Sequence, residues 1–568
     1  MAETLISPGV LAREIDRSQV SALPVNVGAA IIGPTVKGPV QQPTVVTSYG
    51  DYVNTFGDVL TSGSDTYSYF TSIAAYNYFN NGGSSLLVAR VVTGSYTSAT
   101  STTISASTQA SSQPAFVLKT ISKGIIMNNS GALDSAGALI SGSTDNIRWE
   151  IVNPVTSSGT FDLLIRQGND VTNSKIVLET FTGLSLDPKS PNFVSKVIGD
   201  YVYNYNSSTN QIELTGSFAN NSKYVYVSSV NLLTPDYLDN SGVAKNQYTS
   251  SIPLAASGSF NGATGDIKGG ANFYTAITAN NTQGLDAGCY TNMINLLSNK
   301  DDYQFNILIT PGLVDELHTS AVSTIVTNTQ QRGDNIFVID PVDYSSTYTS
   351  AIQQAASRDT SYAAEYWPWC QILDPATGKN VWVPASTMIV GVYAYNDSVA
   401  EPWFAPAGIN RGGLGSVIRV EQKLNQSTRD ALYNGKINPI ATFPGQGIVV
   451  YGQKTLQQKP SALDRVNVRR LLIALKSYIS QVANTLVFEQ NTIATRNIFL
   501  SQVNPYLSSV QQRQGLYAFK VVMDDTNNTA AVIDRNQLIG QIYVQPTKTA
   551  EFIYLDFIIT PTGATFPA

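Results

Sequence analysis

FNILITPGLVDELHTSAVSTIVTNTQQRGDNIFVIDP, residues 305–341, carries the pattern that decides the fold. Two short apolar runs, 305–312 and 335–341, flank a helical stretch, and a third run follows in YAAEYWPWCQILDP at 362–375. Strands at such intervals with helices between them predict a βαβ-type layered domain. A helical segment over about 286–298 leads into the first run. Farther back, SSLLVARVV at 84–92 predicts a strand. It follows a helix that starts near Tyr67, carries Phe70, Ile73, Ala74 and Phe79, and stops at Gly82 and Gly83. Still earlier, short strands at 29–32 and 44–47 bracket the Gly-Pro punctuation of GPTVKGPV, residues 33–40.

Between these two blocks the texture changes. TGSYTSATSTTISASTQASSQ, 93–113, is low complexity, and the chain stays rich in Ser, Asn and Gly to about residue 283. Alternating runs such as KYVYVSSV at 223–230 predict strands there. The reading is therefore a mixed α/β, multidomain (α+β) chain. An N-terminal extended arm spans 1–22. A discontinuous αβ middle domain spans 23–94 plus 285–400, interrupted by a β-rich insertion of one or two modules at 95–284. A C-terminal αβ domain spans 401–545, and a last strand or arm spans 546–568.

In that C-terminal part, Val468, Leu471, Leu472, Leu475, Ile479, Val482 and Leu486 recur at three and four, marking an amphipathic helix with Arg469, Arg470, Lys476 and Gln481 off the stripe. A second helical stretch carries Phe499, Val503, Leu507 and Val510, with a restart expected at Asn504-Pro505 and a stop at Gly515. AFKVVMDD (518–525), LIGQIYVQP (538–546) and AEFIYLDFIIT (550–560) predict strands.

Composition narrows the function. Of 568 residues only 13% are charged, about half the usual share, and 34 Lys plus Arg against 40 Asp plus Glu give a net charge of -6. With 30 Tyr and 20 Phe the chain is not disordered. It lacks the clustered basic excess that phosphate neutralisation needs, so no direct nucleic-acid contact is expected. His318 is the single histidine, which excludes His-rich metal sites, and it reads as a surface or cap residue. Cys289 and Cys370 are too few for a disulfide scaffold and fit synthesis in a reducing cytoplasm. MAETLISPGV lacks the pattern of a signal peptide, and no apolar run reaches the ~18 residues of a membrane span. Few charges and many aromatics suit a surface that meets other protein; a monomer with a neutral polar surface is the alternative.

Motifs with catalytic or cofactor meaning fail on inspection. Residues 33–38 have phosphate-loop spacing, but Pro39 replaces the Lys, and Pro34 and Pro39 lack N–H donors. GGLGSV at 412–417 lacks the last Gly of a dinucleotide fingerprint. Arg332-Gly333-Asp334 reads as a turn before a buried strand. The Asn-x-Ser/Thr sequons are incidental to composition. Trp367 and Trp369 can stack on a sugar, but a dense aromatic strand is more often core or interface. No catalytic residue, cofactor site or metal site is indicated.

Ten stretches together resemble the tail sheath proteins of contractile-tailed (myovirus-type) bacteriophages. They are SPGVLAREID (7–16), GPTVKGPV (33–40), YFNNGGSSLLVARVV (78–92), YAAEYWPWCQILDPATGKNVWVPAS (362–386), GVYAYND (391–397), FAPAGINRG (404–412), INPIATFPGQGIVVYGQKTL (437–456), VNVRRLLIALKSYI (466–479), VFEQN (487–491) and AEFIYLDFII (550–559). The series covers about 1–94 and 285–568 in order and skips the insertion. Tyr451, Lys454 and Gln490 stand where the family often has Trp, Arg and Pro.

The resemblance implies a structural virion subunit that polymerises as stacked hexameric rings around an inner tail tube and contracts to drive the tube through the host envelope. It implies a C-terminal domain near the tube, an outward-facing insertion, and arms that exchange strands with neighbours. Leu5, Ile6 and Val10 in the first arm and Phe552, Ile553, Tyr554 and Phe557 in the last strand are the expected assembly residues. Arg469, Arg470 and Lys476 are the expected tube-facing residues, the alternative being an internal pair with Glu489 or another carboxylate. Expected partners are further copies, the tail tube protein, and baseplate and tail terminator proteins, without membrane insertion. The competing readings are another self-assembling tube or shell subunit, or a β-rich carbohydrate-binding adhesin.

Overall fold

The computed structural model describes residues 27–62, 65–106, 113–266 and 276–554. The expected assembly residues Leu5, Ile6, Val10 and Phe557 lie outside them.

An eight-stranded sheet organises the chain. Its strands are β1 (Val27–Gly33), β2 (Thr44–Val46), β3 (Leu86–Arg90), β4 (Phe305–Val314), β5 (Ile336–Asp340), β6 (Ala363–Trp367), β7 (Ile437–Phe443) and β8 (Gly447–Val450). The spatial order is β2-β3-β1-β4-β5-β6-β7-β8. Strands β3 through β7 run parallel to their neighbours, and the edge strands β2 and β8 are antiparallel. The inner strands are apolar on both faces because both faces are covered. Alternate residues serve two cores. Ile31, Val88, Ile309, Val338 and Tyr366 point to one, Ala30, Leu87, Leu308, Phe337 and Trp367 to the other. Trp367 and Trp369 are thus core residues, 1% and 2% exposed.

On the first face lie α1 (Phe70–Asn80) and α2 (Ala385–Val399). They approach closely at Gly391, where a Cβ would stand 2.5 Å from Asn77 Nδ2. That amide instead donates to the carbonyls of Thr387 and Met388 at 3.0 and 3.1 Å. His318 is a cap residue by position, at the N-cap of the helix Thr319–Arg332, but it is buried rather than on the surface. Its Nδ1 accepts the Val314 N–H at 3.0 Å and its Nε2 lies 3.0 Å from the Thr278 carbonyl, so the ring is a neutral Nε2–H tautomer. Arg332-Gly333-Asp334 is a turn, with Gly333 at φ +68° capping the preceding helix and Arg332 paired to Asp334 at 2.8 Å.

Strands β7 and β8 come from beyond the expected boundary at residue 400. The buried run Ile437–Phe443 pairs in parallel with β6, and Asn438 Nδ2 ties the two by donating to the carbonyls of Glu365 and Lys454 at 3.0 and 2.8 Å. The αβ unit therefore extends to about residue 456.

The insertion is one module. Phe116–Lys123 and Val225–Val230 belong to one four-stranded sheet; Ile147–Val155, Thr160–Gln167 and Val177–Ser185 belong to another. A single core joins them, with Phe116, Leu118 and Val227 meeting Trp149, Leu163 and Ile165. At its root, Arg90 donates to the carbonyls of Gly38 and Lys123 at 2.6 and 2.9 Å, and Lys37 pairs with Asp145 at 3.3 Å. Ile277 already packs in the core of the αβ unit, and the buried Gln283 side chain accepts the Phe70 N–H at 2.8 Å. The insertion thus ends several residues before 284.

The C-terminal unit is built on α3 (Val466–Asn484) and α4 (Ile493–Gln512). Helix α4 runs through Pro505 without the expected restart. Proline deprives the Ser501 carbonyl of its N–H partner, but Ser501 and Pro505 face solvent, where water can serve that carbonyl.

Candidate assembly surface

Helices α3 and α4 bury Leu471, Leu475 and Val482 against Phe499, Val503, Leu507 and Val510. Tyr478 stacks on Tyr506 with ring centroids 3.8 Å apart. A two-stranded antiparallel ribbon, Leu516–Val522 and Gln541–Pro546, closes this core. Leu516, Phe519, Val521, Ile542 and Val544 turn toward the helices, while Tyr517 and Tyr543 are 63% and 58% exposed on the other face. Among the described residues no third strand pairs with either edge of this ribbon. Such an edge is a template for a strand from another chain. The outer edge of the main sheet differs, because residues 412–414 already pair with β8 through Leu414 N–H to Ile448 and Val450 N–H to Gly412.

The chain just beyond the ribbon is anchored at Glu551. Glu551 accepts two hydrogen bonds from Arg465, at 2.7 and 2.9 Å, one from Tyr433 Oη at 2.5 Å and one from Gln453 at 3.1 Å. Burial alone raises a carboxyl, but these donors hold Glu551 below its usual range. Lys454 Nζ sits 3.8 Å from the Tyr433 ring centroid. After this anchor Phe552, Ile553 and Tyr554 are 68%, 75% and 88% exposed, in irregular chain rather than the expected strand. The sequence reading missed the anchor, whose signal is a lone carboxylate before an apolar run.

The expected tube-facing residues divide. Arg469 and Arg470 are buried, so the subunit does not present them to a tube, and Arg470 takes the alternative of an internal pair with a carboxylate, Asp397 rather than Glu489. Arg469 lies 3.9 Å from the Tyr362 ring centroid and donates to Ser361. Arg470 pairs with Asp397 at 2.5 Å and lies 4.8 Å from the Tyr393 centroid. Lys476 is exposed and donates to Tyr362 Oη at 3.1 Å. Helix α3 is sandwiched, because the face away from α4 packs on the αβ unit.

Residues 288–456 match the model of the phage tail sheath protein central domain, and residues 458–560 match that of the phage tail sheath C-terminal domain. Two successive stretches of the chain are thus similar, in order, to the central and C-terminal domains of phage tail sheath proteins. The two matches meet where the main sheet ends. The tail sheath protein of Vibrio phage KVP40 is 44% identical over 229 residues, 40% of this chain and 32% of that protein. The tail sheath protein of Enterobacteria phage T4 is 41% identical over 193 residues, 34% of this chain and 29% of that one. The aligned stretch thus spans about a third of these relatives' length. A sheath tail protein from Listeria innocua shares the fold at TM-score 0.53 and 10% identity, over 92% of this chain and 95% of its own.

Among the described residues no helix is long and apolar enough to cross a membrane. Among these same described residues no group of three or more His, Cys, Asp or Glu side chains is placed to hold a metal ion.

Proposed function

We propose that the chain is a structural subunit of a contractile phage tail sheath. In this reading it polymerises as stacked hexameric rings around an inner tail tube and shortens to drive that tube through the host envelope. The observation that carries the reading is the ordered pair of sheath domains over 288–560, which coincide with the end of the αβ unit and with the helix-and-ribbon unit.

The ribbon supports the way subunits are linked. Its two edges, unpaired among the described residues, suit strand addition, and Phe552, Ile553 and Tyr554, exposed just after the Glu551 anchor, open an apolar segment suited to donate a strand. Each added backbone hydrogen bond contributes about 1 kcal/mol net, and the contribution recurs at every subunit. Contraction then needs no catalytic residue. The extended polymer is kinetically trapped, and the shorter one gains inter-subunit contacts while the exchanged strands keep neighbours joined. The C-terminal unit, with Lys476 exposed on α3, faces the tube, and the separately cored insertion points outward. Partners are further copies, the tube protein, and baseplate and terminator proteins at the ends of the virion tail.

Negative-stain microscopy of the purified full chain tests the reading. Striated hollow tubes are expected; smooth narrow tubes or persistent monomers contradict it.

A further inference from the structure

The stretch VFEQN closes the turn between α3 and α4, and its phenylalanine packs against none of the described residues. Phe488 is the most exposed large hydrophobic residue among those described, at 103%. Its φ is +72°. Apart from Phe488, every non-glycine residue with positive φ among those described is Asn, Asp, Gln, Ser or Lys. A bulky apolar side chain in that region is strained, and such strain persists where the surrounding structure imposes it, as functional sites do. The turn is held on both sides, by the Leu486 N–H on the Ala483 carbonyl at 3.0 Å and the Glu489 N–H on the Leu486 carbonyl at 3.1 Å. Leu486 tucks toward the helical core, whereas Val487 and Ile493, 58% and 65% exposed, flank Phe488 and make an apolar tip.

We propose that this tip is a knob that inserts into a cavity on a second copy of the chain. The inference rests on the reading that the chain polymerises. In an open polymer of identical subunits each contact joins two different patches, so the complement of an exposed knob lies elsewhere on the same surface. A cavity of about 540 Å³ between residues 413–423 and 442–448 fits that role. Leu414, Val417 and Ile448 supply apolar lining, Ile418 stands 53% exposed beside them, and Arg419 and Lys423 add positive charge. The residue after Phe488 is Glu489, so an apolar side chain followed by a carboxylate meets an apolar pocket edged by cations. Neither Glu489 nor Lys423 makes an ion pair among the described residues.

Two variants test the pairing. Phe488→Gly removes the ring and suits a positive φ, so the isolated subunit keeps or raises its melting temperature. The concentration needed for polymerisation rises about tenfold to a hundredfold, the equivalent of one buried aromatic side chain. Phe488→Cys combined with Ile418→Cys, mildly oxidised, gives a ladder of covalent oligomers longer than dimers, since every chain carries one of each partner. The native thiols interfere little, because Cys370 is buried and burial pushes the Cys289 thiol up to about 12. If the wild type polymerises but the double variant yields no ladder, or Phe488→Gly assembles at the wild-type concentration, the knob-and-pocket contact is wrong. Dimers from Phe488→Cys alone overturn it too, by placing the ring against its own symmetry mate. Failure of the wild type to polymerise at all overturns the parent reading, and this contact with it.

Discussion

Arg470 and Lys476 lie on one helix, and the fold treats them oppositely. The helical period shows which residues are apolar, but it cannot show that a helix has two partners. Helix α3 packs Leu471 and Leu475 on α4 and turns Arg469 and Arg470 onto Tyr362 and Tyr393 of the αβ unit. Arg470→Ala should therefore cost about 3 kcal/mol in urea unfolding, the low end for breaking a buried pair, since Asp397 keeps some water contact. Lys476→Glu should stay within about 0.5 kcal/mol, and it alone is a clean probe of tube-templated assembly. His318 was illegible for the same reason, because its partner Thr278 lies across the end of the insertion. Burial lowers its pKa, so the neutral ring's contribution is complete above the ordinary imidazole range and is lost as pH falls below about 6.5. Asp340, raised by burial to about 7, has the opposite sign: its contribution is present at acid pH and lost as pH rises toward 7. The stability difference between wild type and His318→Gln isolates the histidine. It should shrink from pH 7.5 to 5.5, and a constant difference would show that the buried ring titrates normally.

At the scale of elements, strands with continuous apolar runs were legible and strands defined by partners were not. Runs such as NIFVID can only be buried between two covered faces, whereas β7 joins the sheet across a long stretch of other structure, which no local pattern reports. The restart expected at Pro505 fails because a solvent-facing carbonyl tolerates the missing donor. The last segment was read as a strand from its alternation, yet 551–554 is irregular in the lone chain. On the proposed strand exchange, such a segment would find its ladder only on a neighbouring subunit. Removing residues 1–18 should thus leave a soluble monomer with an unchanged circular dichroism spectrum and no tubes. Ile553→Pro, which removes one ladder donor at an exposed position, should also block growth without lowering the melting temperature. Tubes from either variant at ordinary protein concentration would move the linkage to the faces of the αβ unit.

At the scale of the molecule, the low-complexity entry at 93–113 marked the insertion, but only packing shows that it is one sandwich with its own core. Its exit lies earlier than composition suggested, because Ile277 and Gln283 already belong to the αβ unit. Replacing residues 98–261 with a short Gly/Ser linker should keep the eight-stranded sheet folded and still permit striated tubes, since long surface loops cost little closure entropy. A folded variant unable to assemble would give the insertion a direct part in the polymer. In the proposed polymer, neighbouring subunits stay tied through the open C-terminal ribbon while its length changes. Helical cryo-EM reconstruction of the assembled tubes tests it most directly. The ribbon of each subunit should gain strands from the terminal segments of its neighbours, in long and short tubes alike; ribbons still two-stranded, with both terminal segments folded on their own subunit, would overturn strand exchange as the link.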